Sequence, residues 1–479
     1  DDQGWRIEIK KYPLLTSVGA WRPADKSDLE SIKLIPSSDG SSMLYGGYYT
    51  QDDIREVVTY AAARYVTVVP EIEMPGHSTA ALAAYPQFSC TGGPFRIGAL
   101  WGVFKDVYCP GKEETFTFIE NVLDEVCELF PGPYVHVGGD ECPKDRWRNC
   151  SDCKKRIQEN GLKDENELQS YFIKRVEKYL ETKHHRLVGW NEILQGGLAP
   201  DATVMSWQGI SGGRTAASQG HDVIMSPESN CYFDHTADVG SNPKGSSAFL
   251  FVSTVPLNKV YAFEPTPADL TPEQAKHILG AQGNLWTERI PTQDRLDYMA
   301  FPRAIALAEC LWTSHRGDFP DFASRLVRHF NCLDLNGVKY YDDPLAHAIF
   351  IGQWRPADQL SKQPTDVDFL ITPHLLGPGN YAVRFEFLEG KDQIDINSVV
   401  LLENGKELMR DAHPGFSGPK SQANSYVLCI AELKPGATYT ARASIMAKKS
   451  SDTKGEVFLL RTPSETKSID AKSTTDRRD

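Results

Sequence analysis

The 479-residue chain contains no apolar run long enough to cross a bilayer, which leaves no helical membrane span to be read from it. Positive charge is in deficit as well: 51 Lys and Arg against 64 Asp and Glu give a formal net charge of -13. That balance argues against nucleic acid or an anionic membrane surface as a partner. Finger-type metal spacing is also missing. Ten cysteines are present, but the one Cys-x-x-Cys, Cys150 to Cys153, has neither a second such pair nor a histidine at finger distance. A zinc cluster is therefore the weaker reading. Cys90 and Cys109 bracket a Gly- and aromatic-rich loop, and Cys142, Cys150 and Cys153 crowd one later segment, a distribution that suits disulfides in an oxidising compartment. No secretion signal is visible at Asp1, and no repeat stands out beyond strand–helix alternation.

What is present is ordinary globular material, 41% apolar and 24% charged, in a length that should hold more than one domain. The organising stretch is Tyr134-Val135-His136-Val137-Gly138-Gly139-Asp140-Glu141. It reads as a strand that delivers two acids. Neighbouring strand residues face opposite sides, so Asp140 and Glu141 can meet one ligand only where the strand has ended and the glycines let the chain bend.

The pattern recurs along the chain. A helical spacing over 51–64 leads to a β-branched run, Tyr65 to Ile72, that ends Glu71-Ile72-Glu73-Met74-Pro75-Gly76-His77. Helical patterns over 113–130 and 165–182 lead to strands at 134–137 and 186–190, the second ending Trp190-Asn191-Glu192. Strands at 203–207, 222–226 and 278–285 follow, then a helix over 295–310. Six strands, nearly all with polar or aromatic residues at their carboxyl ends, favour a (β/α) barrel over a doubly wound sheet with one crevice. After Trp354 the period becomes two. Strands at 381–388, 398–403, 426–432, 439–447 and 457–461, with an Asn404-Gly405 hairpin signal, predict a small all-β sandwich. The expected domains are a catalytic (β/α) barrel over 1–355, a β-sandwich accessory domain over 356–463, and a polar, disordered tail over 464–479.

Six motifs in order then carry a resemblance. Glu71-Ile72-Glu73-Met74-Pro75-Gly76-His77, His136 to Glu141, Trp190-Asn191-Glu192, Ser206-Trp207-Gln208-Gly209, Tyr232-Phe233-Asp234 and Asn284-Leu285-Trp286-Thr287-Glu288 make residues 1–354 resemble the family 20 glycoside hydrolases, the β-N-acetylhexosaminidases. The resemblance implies exo-acting, retaining removal of terminal β-linked N-acetylhexosamine, GlcNAc or GalNAc, from a glycan or oligosaccharide. No cofactor or metal is implied, no motif sets an oligomeric state, and the expected location is secreted, periplasmic or cell-surface.

Glycosidases with two catalytic carboxylates place them on opposite sides of the scissile bond, about 5 Å or more apart. Adjacent acids are poorly placed for that. The resemblance implies instead that the substrate's 2-acetamido oxygen is the nucleophile, that Asp140 holds the amide N–H, and that Glu141 is the general acid and then base. A neighbouring anion and indole walls from Trp190, Trp207 and Trp286 should raise the pKa of Glu141. By the same resemblance His77 contacts Glu141, Tyr232 bonds the acetamido carbonyl, and Asp234 and Glu288 bind ring hydroxyls. Trp101 would touch the leaving side. Relatives commonly carry Asp where this chain has Glu73.

Two further readings compete: a non-catalytic carbohydrate-binding protein on a degenerate barrel, and a metal-dependent barrel hydrolase using His77, Glu73 and Asp140. The first two barrel strands are expected to lie outside this chain, so that the first visible strand is at Tyr65 and the isolated segment is unstable. In relatives the first strand brings an arginine for the sugar hydroxyls and an aspartate behind the histidine. No residue of this sequence is assigned either role.

Overall fold

The computed structural model describes residues 1–24, 34–36, 43–99, 102–237, 254–354, 362–419, 421–447 and 452–461. Trp101 and the 464–479 tail lie outside them. The chain packs as two compact units, Asp1–Glu228 with Glu264–Gln282, and Ser229–Phe263 with Gly283–Asp479. In the first unit β1 (Trp21–Pro23), β2 (Leu34–Pro36) and β3 (Met43–Gly46) form a small antiparallel sheet in the order β1-β3-β2.

The centre of this unit is a parallel sheet of β4 (Tyr134–His136), β5 (Arg186–Trp190), β6 (Thr203–Ser206), β7 (Val223–Met225) and β8 (Ile278–Ala281), in chain order. Val135 lies opposite Leu187, Val188 opposite Thr203, and Val204 opposite Val223. All six are buried, as expected of a parallel sheet covered on both faces. The helix Glu165–Thr182 buries Leu168, Phe172, Val176 and Leu180 at helical spacing, and Asp164 caps its first turn by accepting from the N–H groups of Asn166 and Glu167. It packs on Glu113–Leu129, with the Phe116 and Phe172 rings 5.2 Å apart. Because every strand runs the same way, their carboxyl ends share one edge. The residues after β4, β5 and β6 are thereby brought together.

Five strands form where six are expected. The Tyr65 to Ile72 run lies beside β4, with the His136 N–H donating to Pro70 (2.9 Å) and the Ile72 N–H donating back to His136 (2.9 Å). It makes only a single parallel bridge, at Glu71. Its outer edge has no strand partner among the described residues, and Tyr65 (99%), Val66 (57%) and Val69 (43%) stand exposed, so nothing draws it into a regular ladder.

Glu177, on the helix Glu165–Thr182, is 3% exposed and accepts from the Asp201 N–H at 3.0 Å. Burial pushes its carboxyl up to about 7. The folded chain therefore holds a proton that the unfolded chain releases near pH 4 to 5, and this group's contribution to stability falls as pH rises from there to about 7. Glu177→Gln should flatten that fall by up to about 3 kcal/mol. Denaturant midpoints of both proteins at pH 4.5 and 7.5 check it; parallel profiles would contradict it.

The second unit carries the β-sandwich. One sheet is β10 (Thr365–Leu370), β16 (Tyr439–Ala447), β12 (Ile394–Glu403) and β13 (Lys406–Asp411), with β14 (Gly415–Ser417) beside β12. The other is β15 (Ser425–Ile430), β11 (Gly379–Glu389), β17 (Lys454–Arg461) and β9 (Ile349–Trp354). Phe385, Leu401, Tyr426, Ile445 and Leu459 meet between them. Period-two reading misses β9, β10, β13 and β14. The strand β9 begins before residue 356 and sinks Trp354 into the sandwich core, so the sandwich starts inside the stretch assigned to the barrel. Asn404 and Gly405 both take positive φ (51° and 80°), forming the expected hairpin turn. The helix expected over 295–310 divides into Gln293–Ala300 and Arg303–Trp312, because Pro302 has no N–H to give and disfavours helix at Phe301.

Candidate active site

After β4 the chain turns through Gly138 (φ 68°), Gly139 (φ 94°) and Glu141, itself left-handed at φ 42°. Gly138 is required twice over. A side chain there would be conformationally strained, and its Cβ would overlap the Glu73 carboxylate. The Gln169 amide donates to the Gly139 carbonyl at 2.7 Å, and Lys144 donates to Gln169, so the bend is fixed from the neighbouring helix.

The bend brings both acids to His77. Its Nε2 lies 3.4 Å from Asp140 Oδ2 and 3.4 Å from Glu141 Oε2. On the other side its Nδ1 lies 2.8 Å from Asp2 Oδ2, and the other Asp2 oxygen accepts from the Thr79 N–H at 2.9 Å. Burial disfavours the imidazolium, but the hydrogen bonds to Asp140, Asp2 and Glu141 outweigh it and hold His77 well above the usual histidine range. Asp2 thus supplies the carboxylate behind the histidine that the sequence reading left unassigned. Its partner lies 75 positions away, and an acid in a polar opening stretch gives no sign of it. Arg6 is no candidate for sugar hydroxyls: its guanidinium donates to the carbonyls of Ala20 (3.0 Å) and Gly47 (2.8 Å).

Three more acids surround the pair. Glu71 accepts from the Trp190 indole N–H at 2.9 Å and lies 3.1 Å from His136 Nδ1. Glu73 is forced well above the carboxylate range, by burial first and then by the charges of Asp140 and Glu71; its Oε2 has no hydrogen-bond partner among the described residues. Glu192 accepts from Trp207 Nε1 and Gln208 Nε2, each at 3.0 Å, and is pushed up to about 7 by burial, with the Asp140 charge adding to it. The preceding Asn191 accepts from the N–H groups of Trp207 (3.0 Å) and Gln208 (3.1 Å) and so aligns the ends of β5 and β6. The motif Trp190-Asn191-Glu192 was legible, but Glu192 was not assigned a place in the site.

Two of the expected indoles hold acids of the site through their N–H groups. Trp190 is 1% exposed beneath the site with its N–H on Glu71, and Trp207 has its N–H on Glu192. Against Glu141, whose side chain is 37% exposed, stands the imidazole of His77. A cleft of about 350 Å³ opens beside Glu141, lined also by Lys144, Gln169, Glu192, Gln195 and Gln208. Asp140 Oδ1 is buried and has no hydrogen-bond partner among the described residues, which leaves an acceptor ready for a donor on a ligand.

The remaining expected residues belong to the second unit. Tyr232 is buried and forms a parallel bridge with Asn284, and the Phe233 N–H donates to Asn284 at 2.7 Å. Trp286 and Glu288 follow that bridge, with Trp286 half-buried and Glu288 exposed. Arg303, 1% exposed, fixes the segment carrying Tyr232 and Asp234 by donating to the carbonyls of Phe233 (2.5 Å) and His235 (2.8 Å). A buried arginine whose hydrogen bonds among the described residues go to carbonyls leaves no mark in the sequence.

Two sets of donors at this end of the first unit lie close enough to share a cation, His77 with Asp140 and Glu141, and His77 with Asp1 and Asp2. Glu73, part of the expected metal set, is in neither.

Residues 1–315 match the family described as glycosyl hydrolase family 20, catalytic domain. A β-hexosaminidase of Porphyromonas gingivalis is 51% identical over 344 residues, 71% of this chain and 42% of that protein. One of Vibrio furnissii is 38% identical over 64% of this chain and 49% of its own length. The chain thus spans about half the length of these curated relatives. The crystal structure of a GH20 exo-β-N-acetylglucosaminidase from Vibrio harveyi, in complex with N-acetylglucosamine, superposes with TM-score 0.61 at 36% identity, covering 72% of this chain and 53% of that one. A β-N-acetylhexosaminidase from Bacteroides fragilis gives 0.59 at 32%, covering 71% and 64%. With a (β/α) barrel-type parallel sheet, an acid pair at its carboxyl edge and a β-sandwich later in the chain, the chain belongs to glycosyl hydrolase family 20.

Proposed function

We propose that the protein is an exo-acting, retaining β-N-acetylhexosaminidase whose nucleophile is the substrate's own acetamido oxygen. One observation carries this reading: a single nitrogen, His77 Nε2, lies 3.4 Å from both Asp140 and Glu141. Two carboxylates gathered on one imidazole cannot also flank an anomeric carbon from opposite faces. In the first step the acetamido carbonyl oxygen bonds to the anomeric carbon while the glycosidic bond breaks, and Glu141 gives its proton to the departing oxygen. Asp140, through the unpartnered Oδ1, accepts from the amide N–H and balances the charge on the oxazolinium ring. In the second step water adds to the anomeric carbon, Glu141 takes its proton, and the acetamido group is restored. Two inversions give retention.

His77 is a positioning residue in this account, anchored by Asp2. Trp190, Trp207, Tyr232, Asp234, Trp286 and Glu288 take the sugar-binding roles that the family motifs imply. The substrates are glycans or oligosaccharides ending in β-linked N-acetylhexosamine. Proton NMR of early hydrolysis tests the stereochemistry: the β-anomer of the free sugar should appear first and mutarotate later. The α-anomer appearing first would overturn the mechanism.

A further inference from the structure

Away from the acid pair, four thiols converge. Cys109 Sγ lies 3.6 Å from Cys153 and 3.7 Å from Cys150, and Cys90 lies 3.7 Å from Cys153. All four sulfurs fall within 4.8 Å of one another, and none is in a disulfide. We infer that Cys90, Cys109, Cys150 and Cys153 form a structural zinc site that braces the loop following Glu141.

The spacing decides between the two chemistries open to such a cluster. A disulfide needs its sulfurs about 2.05 Å apart. A tetrahedral zinc with bonds of about 2.3 Å places its sulfurs about 3.8 Å apart along every edge. The three observed contacts, half of a tetrahedron's six edges, sit close to that edge length, and Cys109 and Cys153 each take part in two of them. Paired bridges would give each sulfur one partner.

The backbone is shaped to match. Cys150 is the N-cap of the helix Ser151–Glu159 and Cys153 lies in its first turn, so both thiolates would face the positive helix end. Opposite them Cys109-Pro110-Gly111 makes a second turn, closed by the Lys112 N–H donating to the Cys109 carbonyl at 3.3 Å. A Cβ on Gly111 would lie 2.3 Å from the Asp152 carbonyl carbon, so only glycine lets the two turns approach this closely. This second turn is what sequence spacing hid, since it is not a Cys-x-x-Cys. Val107, Trp147 and Leu168 enclose the cluster, and the Trp147 N–H donates to the Tyr108 carbonyl at 2.9 Å. Four protein sulfurs leave no position for water or substrate, so the ion would be structural. It would tie residues 90 and 109 to the segment that begins immediately after Glu141.

The test uses the whole chain, purified without a metal-affinity step from cells supplied with zinc. Elemental analysis should find about one zinc per chain, and X-ray absorption at the zinc edge should find four sulfurs at about 2.3 Å. Cys109→Ser and Cys153→Ser should lose most of the metal, and Cys332→Ser should keep it. Stripping zinc with a mercurial and chelator should lower the thermal midpoint of the unaltered protein. Should the two serine variants fail to fold, the absorption spectrum of the unaltered chain still decides. Cys90–Cys153 and Cys109–Cys150 disulfides in non-reducing mass spectrometry, zinc below a tenth per chain, or nitrogen and oxygen neighbours in place of sulfur would each overturn the inference.

Discussion

Glu141→Gln should lower turnover of an N-acetyl-β-hexosaminide with a poor, alkoxide-type leaving group by about 10²- to 10⁴-fold, the range a positioned general acid contributes. An activated aryl glycoside departs with little protonation and should lose less at the first step. Asp140→Asn should behave differently. It keeps the shape of the side chain but removes the charge set against the oxazolinium, so both substrate classes should slow by about 10²- to 10³-fold, as when one preorganised electrostatic contact is lost. The loss should appear in kcat, because the charge it balances exists only near the transition state. Steady-state kinetics on both substrates with both variants check this. Near-normal Asp140→Asn would make Asp140 a turn residue and remove the reason for its neighbour's geometry.

Gly138→Ala should be the most damaging of the small substitutions. Its φ of 68° strains any L side chain, and the added Cβ overlaps the Glu73 carboxylate, which must shift to admit it. Gly161 offers the contrast, with a similar φ of 62° but nothing among the described residues within 4 Å of its Cβ. Gly161→Ala should cost only the backbone strain, about 1 to 2 kcal/mol. Gly138→Ala should cost that and about 1 to 3 kcal/mol more for the overlap, with activity lost as the acids shift. Shortening the opposing side chain should return part of it, so Glu73→Asp with Gly138→Ala should be more stable than Gly138→Ala alone. Urea midpoints of the four proteins test the comparison; equal costs at both glycines would contradict it.

The same residues show where sequence reasoning reaches. Strand ends at 134–141, 186–192 and 203–209 were legible because buried parallel strands are short β-branched runs, and polar residues directly after them have few reasons to be there other than the shared edge. Tyr65 to Ile72 has that composition without the environment, and composition alone cannot say that a run will lack a neighbour on one side. Asp2, Glu192 and Arg303 were missed for a common reason. Each acts through a partner far away in the chain, His77, Trp207 and the Phe233 carbonyl, and local pattern does not encode such pairings. The four thiols differ from these. Their number was visible, but the choice between bridges and a metal depends on distances of an ångström or two, which only the folded backbone provides.

The central claim is that the substrate carries its own nucleophile, and one comparison tests it most directly. Hydrolysis of an aryl N-acetyl-β-glucosaminide should be measured beside the same aryl β-glucoside without the acetamido group. Removing an intramolecular nucleophile forfeits a proximity advantage large enough that kcat should fall by more than about 10³-fold, beyond any weakening of binding read in KM. Values of kcat within tenfold of each other would mean that a protein group attacks the anomeric carbon, and the roles given to Asp140 and Glu141 would have to be abandoned.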